Sequence, residues 1–341
     1  MGILDWFKNR SAQFDADQRS DALTEQAIEK AVALTNPRLK LVRAYQDRLG
    51  PAVETSVAHL RRLISALPAS IRISATNWGF DPVLRAFFAT PSDITTILGR
   101  SHNVRTLLEK FPELDEAHVV LGMAFSEQKV RGLSLQGGGG PQDAEATMVS
   151  FADHQVRICG QEEREIRRLL GTQLFEYLVA QALIEIGEDR SERRELEDER
   201  SLIRARLRLL QQQGPGLGTV FGSPPGAAEE RAKLEAQLLE NERQMEMIGG
   251  SDSILEGELE HLQSVLANPE RYVRIEHKDL RLSTMNLMLD EASTDVACDV
   301  SFSLAELSGS PSIRSAFVLG TFARAELPPE RMNFDDAIRY L

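Results

Sequence analysis

Six histidines and two cysteines carry the side chains best suited to metal ligation, acid–base or nucleophilic chemistry: His59, His102, His118, His154, His261 and His277, with Cys159 and Cys298. Helix-borne metal ligands stand three or four residues apart so that both face one side. No two of these histidines have that spacing, and no His-Glu-x-x-His occurs. Asp153-His154, Glu260-His261 and Glu276-His277 set a carboxylate beside an imidazole in sequence. Neighbouring strand residues point to opposite faces, so adjacency alone makes no dyad. Asp153-His154 reads first as turn chemistry, with Asp satisfying backbone donors, and second as a pH-tuned base. No Gly-x-Ser-x-Gly elbow accompanies it.

The cysteines stand alone in apolar alternating stretches, with no Cys-x-x-Cys, and read as small hydrophobes. Gly137 to Gly140 are followed by Pro141-Gln142-Asp143 rather than the Lys and Ser or Thr of a phosphate loop, so they read as a flexible linker. Arg271-x-x-Arg274 and Leu282-Ser283 lack the spacing and the glycine of cyclic-dinucleotide barrels. The expectation is no catalytic residue, no cofactor and no metal.

The elements that would position any site fall into five segments: a flexible 1–22, a helical region 23–113, a β-hairpin region 114–160, a long helix with coiled-coil hairpin and return helix at 161–270, and a C-terminal β region with a short tail at 271–341. In the helical region, Asn36-Pro37, Gly50-Pro51 and Pro68 each predict a helix end. Asp81-Pro82 predicts an N-cap, and Ser92 a second. Alternation at Val119, Leu121, Met123 and Phe125, then at Val130, Leu133 and Leu135, predicts a hairpin around Ser126–Lys129. A second pair, 147–151 and 156–159, would turn at Asp153-His154. Strands are expected near 273–275, 280–289, 296–304 and 313–327, and a short helix at 328–341. The fold class is α+β: an N-terminal helical bundle, two antiparallel β regions near one another, and a projecting antiparallel coiled-coil hairpin between them.

That hairpin carries the most specific pattern. Leu196, Ile203, Leu207 and Leu210 form a narrow seam amid charge, and Leu234, Leu238, Asn241, Met245 and Ile248 repeat at 4-3-4-3 spacing. At 1.5 Å per residue each arm would reach roughly 35–40 Å. Asn241 on a seam costs stability and fixes register. Ile3, Leu4, Trp6 and Phe7 make a second candidate contact, an apolar docking cluster ahead of a polar stretch.

Composition narrows the function classes. The net charge of −13 repels a phosphate backbone, and no basic run stands free of acids, which argues against nucleic acid and against an anionic membrane surface. The start lacks the pattern of a signal peptide, Trp6 replaces the Ser or Thr of a myristoylation motif, and no apolar run spans a bilayer, so the expected setting is cytoplasmic. The function expected is a non-catalytic interaction or scaffold protein whose hairpin engages a protein partner or itself. The alternative is a cytoplasmic ligand-binding sensor or enzyme with a pocket between the helical and β regions.

Overall fold

A computed structural model describes residues 13–134, 142–213, 227–248, 251–289, 297–309 and 312–328. The N-terminal cluster, the glycine run and the tail at 329–341 lie outside them. The fold is α+β, with eight α-helices and a six-stranded sheet among the described residues. The described residues divide into two compact units, one drawn from 57–175 and 270–328, the other from 13–56 and 176–269.

In the first unit, β1 (Ile71–Arg72), β2 (Glu116–Ser134), β3 (Gln142–Gly160), β4 (Val273–Ser283), β5 (Ala297–Leu307) and β6 (Ile313–Ala323) share one sheet. Its order is β3-β2-β6-β5-β4, antiparallel throughout, with β1 added parallel to β6. The two β regions thus join directly, through β2 against β6. Residues 283–289 then link the outer strands. Leu287 bridges Met148 and Met288 bridges Leu282, while Met288 N–H donates to Thr147 O and Val149 N–H to Asn286 O, both at 2.8 Å. This segment ties β3 to β4 locally, at Thr147 to Val149 on one edge and Arg281 to Ser283 on the other.

Period-two alternation builds two cores from this sheet. On one face Val119, Leu121, Met123, Phe302, Ala316 and Val318 pack with Ile73 and with α3 (Pro82–Phe87), α4 (Pro91–Gly99) and α5 (His102–Lys110). Phe87, Phe125, Phe151 and Phe302 meet there, with Phe87 and Phe151 edge to face at 4.8 Å. On the other face Val120, Ile158, Phe317 and Leu319 pack with Ile64, Leu67 and Ile166.

Two arginines cap helices here. Arg167 donates to Ile64 O at 2.8 Å, Leu67 O at 3.2 Å and Pro68 O at 2.6 Å, satisfying the end of α2 (Tyr45–Ser65). Burial alone would raise the Glu163 carboxyl, but hydrogen bonds from Ser70 and Arg167 outweigh it and hold the group below the usual carboxylate range. Arg324 does for α5 what Arg167 does for α2, donating to Leu108 O at 2.6 Å, Phe111 O at 2.7 Å and Leu114 O at 2.7 Å.

The second unit is helical: α1 (Gln13–Thr35), the first part of α2, α6 (Glu163–Gln213) beyond residue 175, α7 (Ala227–Ile248) and α8 (Ser251–Ala267). Ala31, Val32, Leu49, Val53, Leu178, Ala182, Leu259 and Leu262 are all buried there. Ser56 Oγ donates to Leu266 O at 2.5 Å, and Lys30 pairs with Glu176. One 18-residue window of α6 matches a membrane-crossing helix in length and hydropathy, a test that buried core helices also pass.

Several local expectations need correction. Helix α2 continues through Gly50-Pro51, because Leu49, Ala52 and Val53 are all buried and their packing outweighs the one donor lost at proline. The helix expected from Ser92 is two helices, and the first begins at Pro91, with Asp93 accepting the Thr90 N–H at 2.8 Å. β2 and β3 are single strands of 19 residues each, not two hairpins. Residues 126–129 are exposed where the pair runs past its core, so alternation lapses without a turn. Asp153-His154 sits at an irregularity within β3, where the register against β2 shifts and Asp153 takes φ 50°. A left-handed residue at a bulge reads in sequence as a turn.

Candidate functional site

Sequence dictates a paired hairpin in 190–248, and α6 and α7 are paired. Asn241 Nδ2 donates to Leu196 O at 3.0 Å and lies 3.3 Å from Glu199 Oε2, and Arg204 pairs with Glu242 at 3.0 Å. Earlier on α6, Arg190 meets Glu258 at 2.6 Å and Asp189 meets His261 at 2.6 Å. The α8 partners, 258 and 261, meet α6 at 190 and 189, and the α7 partners, 241 and 242, meet it further on at 196 to 204, so the returning chain of α7 and then α8 runs antiparallel to α6.

Among the seam candidates, Ile203 and Leu234 are 5% exposed and Asn241 is 3% exposed. Leu196, Leu207, Leu238 and Met245 are half-buried. The side chains of Leu210 and Ile248 lie outside the described residues, as do Ile3, Leu4, Trp6 and Phe7. The Asn241 Oδ1 is buried with no partner among the described residues.

The seam does not use up the apolar residues of the hairpin. Leu202, Leu209 and Leu239 are 57%, 58% and 57% exposed. Sequence reasoning passed over them because it followed one seam. The signal available was the seven-residue interval from Leu202 to Leu209, which repeats a second face of the helix.

Near the base of α7 and α8, polar groups are well matched. The Glu258 side chain is 6% exposed and takes two guanidinium bonds from Arg190, at 2.8 and 2.6 Å, and one from Asn36 at 2.6 Å. His261 lies between Asp189 and Glu185. These ties hold α6 against α8, and the His261 cluster stands partly open to solvent, with side-chain exposures of 33% at His261 and 59% at Asp189. Among the described residues no three His, Cys, Asp or Glu side chains gather to hold a metal ion.

The first unit carries an open cleft of about 520 Å³ between α5, the end of β3 and the start of α6. His102, Asn103, Thr106, Lys110, Arg157, Cys159, Gln161, Glu165 and Gln173 line it, with Leu107, Ile158 and Leu169 as its apolar floor. Lys110 and Arg157 give it cationic groups, but Glu165 is engaged, accepting the Gln161 N–H at 2.7 Å. Burial, with Glu165 nearby, pushes the Cys159 thiol up, away from a reactive thiolate. No sequence signal marks this cleft, since α5 lies about fifty residues before the β3–α6 junction that completes it.

The other histidines are scattered. His59 donates to Val273 O at 3.1 Å and accepts from Arg62 at 3.0 Å, a satisfied core residue. His277 faces Asp279 at 3.2 Å on β4. His154 stacks on Phe88 with ring centres 4.8 Å apart, and its Nε2 is buried without a partner among the described residues. Burial pushes its pKa down, opposed in part by a bond to the Phe87 backbone and by Asp93 and Asp153. Phe88 thus covers one face of an imidazole that burial biases toward its neutral form. No protein-family model, no curated protein and no solved structure matches this chain.

Proposed function

We propose that the protein is a non-catalytic interaction protein whose α6–α7 hairpin engages a protein surface. One observation carries this reading: after the hairpin has closed its own seam, Leu202, Leu209 and Leu239 are still more than half exposed on its outer sides. A leucine held in water on a rigid helix forgoes about 1.5–3 kcal/mol that burial against a partner would return. The two lone thiols, half-buried at Cys159 and Cys298, accord with a cytoplasmic setting. Site-specific photo-crosslinkers at positions 202, 209 and 239 of the full chain, expressed in its own cells, test the reading. Covalent adducts of discrete mass from the arm are expected. Absence of adducts from all three positions overturns it.

A second reading, ligand sensing, is favoured by the cleft that holds Lys110 and Arg157. It calls for a small carboxylate or phosphate anion. Inorganic phosphate or citrate would then raise the melting temperature of the wild-type chain, but not that of the Lys110→Glu, Arg157→Glu double variant.

A further inference from the structure

We infer that the surface engaged by the hairpin is a second copy of the same chain, laid antiparallel along α6. This deepens the reading above and rests on it. The contact face is Leu202, Ala205 and Leu209, all exposed and spaced three and four residues apart, one helical step round from the buried Ile203. It is a short stripe, little more than two turns, and needs help from charge to select a partner.

Charge on this helix is polarised along its length. Residues 188–199 hold seven acids against three arginines, whereas 200–213 hold four arginines and no acid. Two such helices side by side in parallel would set like charge beside like. Laid antiparallel, the acidic part of each faces the basic part of the other. The register follows from position. Asp198 and Arg206 each lie four residues from Leu202. A two-fold axis at Leu202 therefore sets Leu202 on Leu202, brings Asp198 of one copy to Arg206 of the other with symmetry repeating the pair, and lays Leu209 along the methylene stem of Glu195 of the other copy. Both side chains are exposed, and among the described residues neither forms an ion pair within its own chain. Arg204, by contrast, is already committed to Glu242 across the hairpin. The contact is isologous, so it closes at two copies and does not propagate. Exposed ion pairs contribute little each and are screened by salt, so the dimer is weak and salt-sensitive.

Sedimentation of the full chain over a wide concentration range, at low and at high salt, reads the association directly. A concentration-dependent dimer that weakens with salt is expected. Leu202→Glu abolishes it. Asp198→Arg and Arg206→Glu each weaken it by roughly tenfold, about 1.4 kcal/mol. The double variant Asp198→Arg, Arg206→Glu restores it, because the axis exchanges the two positions. All three positions are exposed, and circular dichroism melts confirm that the variants fold. A wild-type chain that is monomeric throughout overturns the inference, and so does a dimer that Leu202→Glu leaves intact or that the double swap fails to restore. Photo-crosslinks from the arm to a different protein, with a monomeric chain, would defeat the second-copy assignment and keep the interaction reading. A monomer without arm crosslinks would defeat both.

Discussion

The side-chain amide of Asn241 on α7 donates to the backbone oxygen of Leu196 on α6 at 3.0 Å, across the seam of the hairpin. Its own Oδ1 is buried with nothing to accept from among the described residues. One residue therefore supplies a register-setting bond and an uncompensated polar atom at the same seam level.

Asn241→Leu tests the balance. Leu196 O is a helix carbonyl, so losing the amide leaves one lone pair bare and not a whole acceptor. Removing the orphaned oxygen and burying a leucine is expected to raise stability by about 1 kcal/mol in urea unfolding. Hydrogen exchange should meanwhile quicken along α7 if alternative registers become populated. A fall in stability of similar size would show that the donated bonds outweigh the orphan.

Arg190 on α6 and Glu258 on α8 make a two-bond cross-helix tie in the second unit, at 2.8 and 2.6 Å. Arg190→Ala leaves the nearly buried Glu258 carboxylate with only Asn36. The expected cost is on the order of 1–3 kcal/mol. It falls at the lower end because the arginine side chain is 43% exposed. Pairing Arg190→Met with Glu258→Leu should recover most of the loss in a thermal melt, since no charge is then stranded. A double variant as unstable as the single would mean that shape, not charge, holds this point.

Hydrophobic spacing made the long elements legible: the 4-3 seam, the stripe of α6 and the alternation of β2 are all written locally. Asp81 and Pro82 marked a helix start, and Asp81 Oδ1 accepts the Val83 N–H at 2.8 Å. What local pattern could not carry was tertiary. Pro51 looks like a helix stop until Leu49 and Val53 are seen buried on either side of it. Asp153 looks like a turn until β2 is seen paired on both sides of it. The cleft drew Lys110, Arg157 and Glu165 from three separate elements, and Leu202 was overlooked because a neighbouring seam explained the same helix.

Gly320 on β6 is paired with Ile71 of β1, and the close approach requires glycine. A Cβ there would stand 2.4 Å from Ile73 Cδ1 and 3.3 Å from Ile71 O. Ile73 is 1% exposed and cannot swing away freely. Gly320→Val should cost about 1–3 kcal/mol by overpacking. Adding Ile73→Ala should recover part of it, because the clash is with that side chain first. An unchanged melting temperature in Gly320→Val would show that β1 is free to lift from the sheet.

His154 sets a pH dependence whose direction follows from its surroundings. Burial lowers its folded pKa below the ordinary 6.5, so the unfolded chain binds a proton that the folded chain resists. The groups that face it, Asp93, Asp153 and the Phe87 backbone, draw the pKa back only in part. Stability from this residue is thus complete above pH 6.5. It is lost as pH falls through 6.5 toward the folded value, and levels off below that. His154→Phe keeps an aromatic ring against Phe88 and removes the titration. The Phe87 bond is lost in the variant at every pH and so adds only a constant offset. The difference in unfolding free energy between wild type and His154→Phe, followed from about pH 8 to about pH 5, isolates the imidazole. It should shift against the wild type as the solution is acidified, with the change beginning near pH 6.5. A flat difference across that range would mean that the folded protein accommodates the imidazolium as readily as water does.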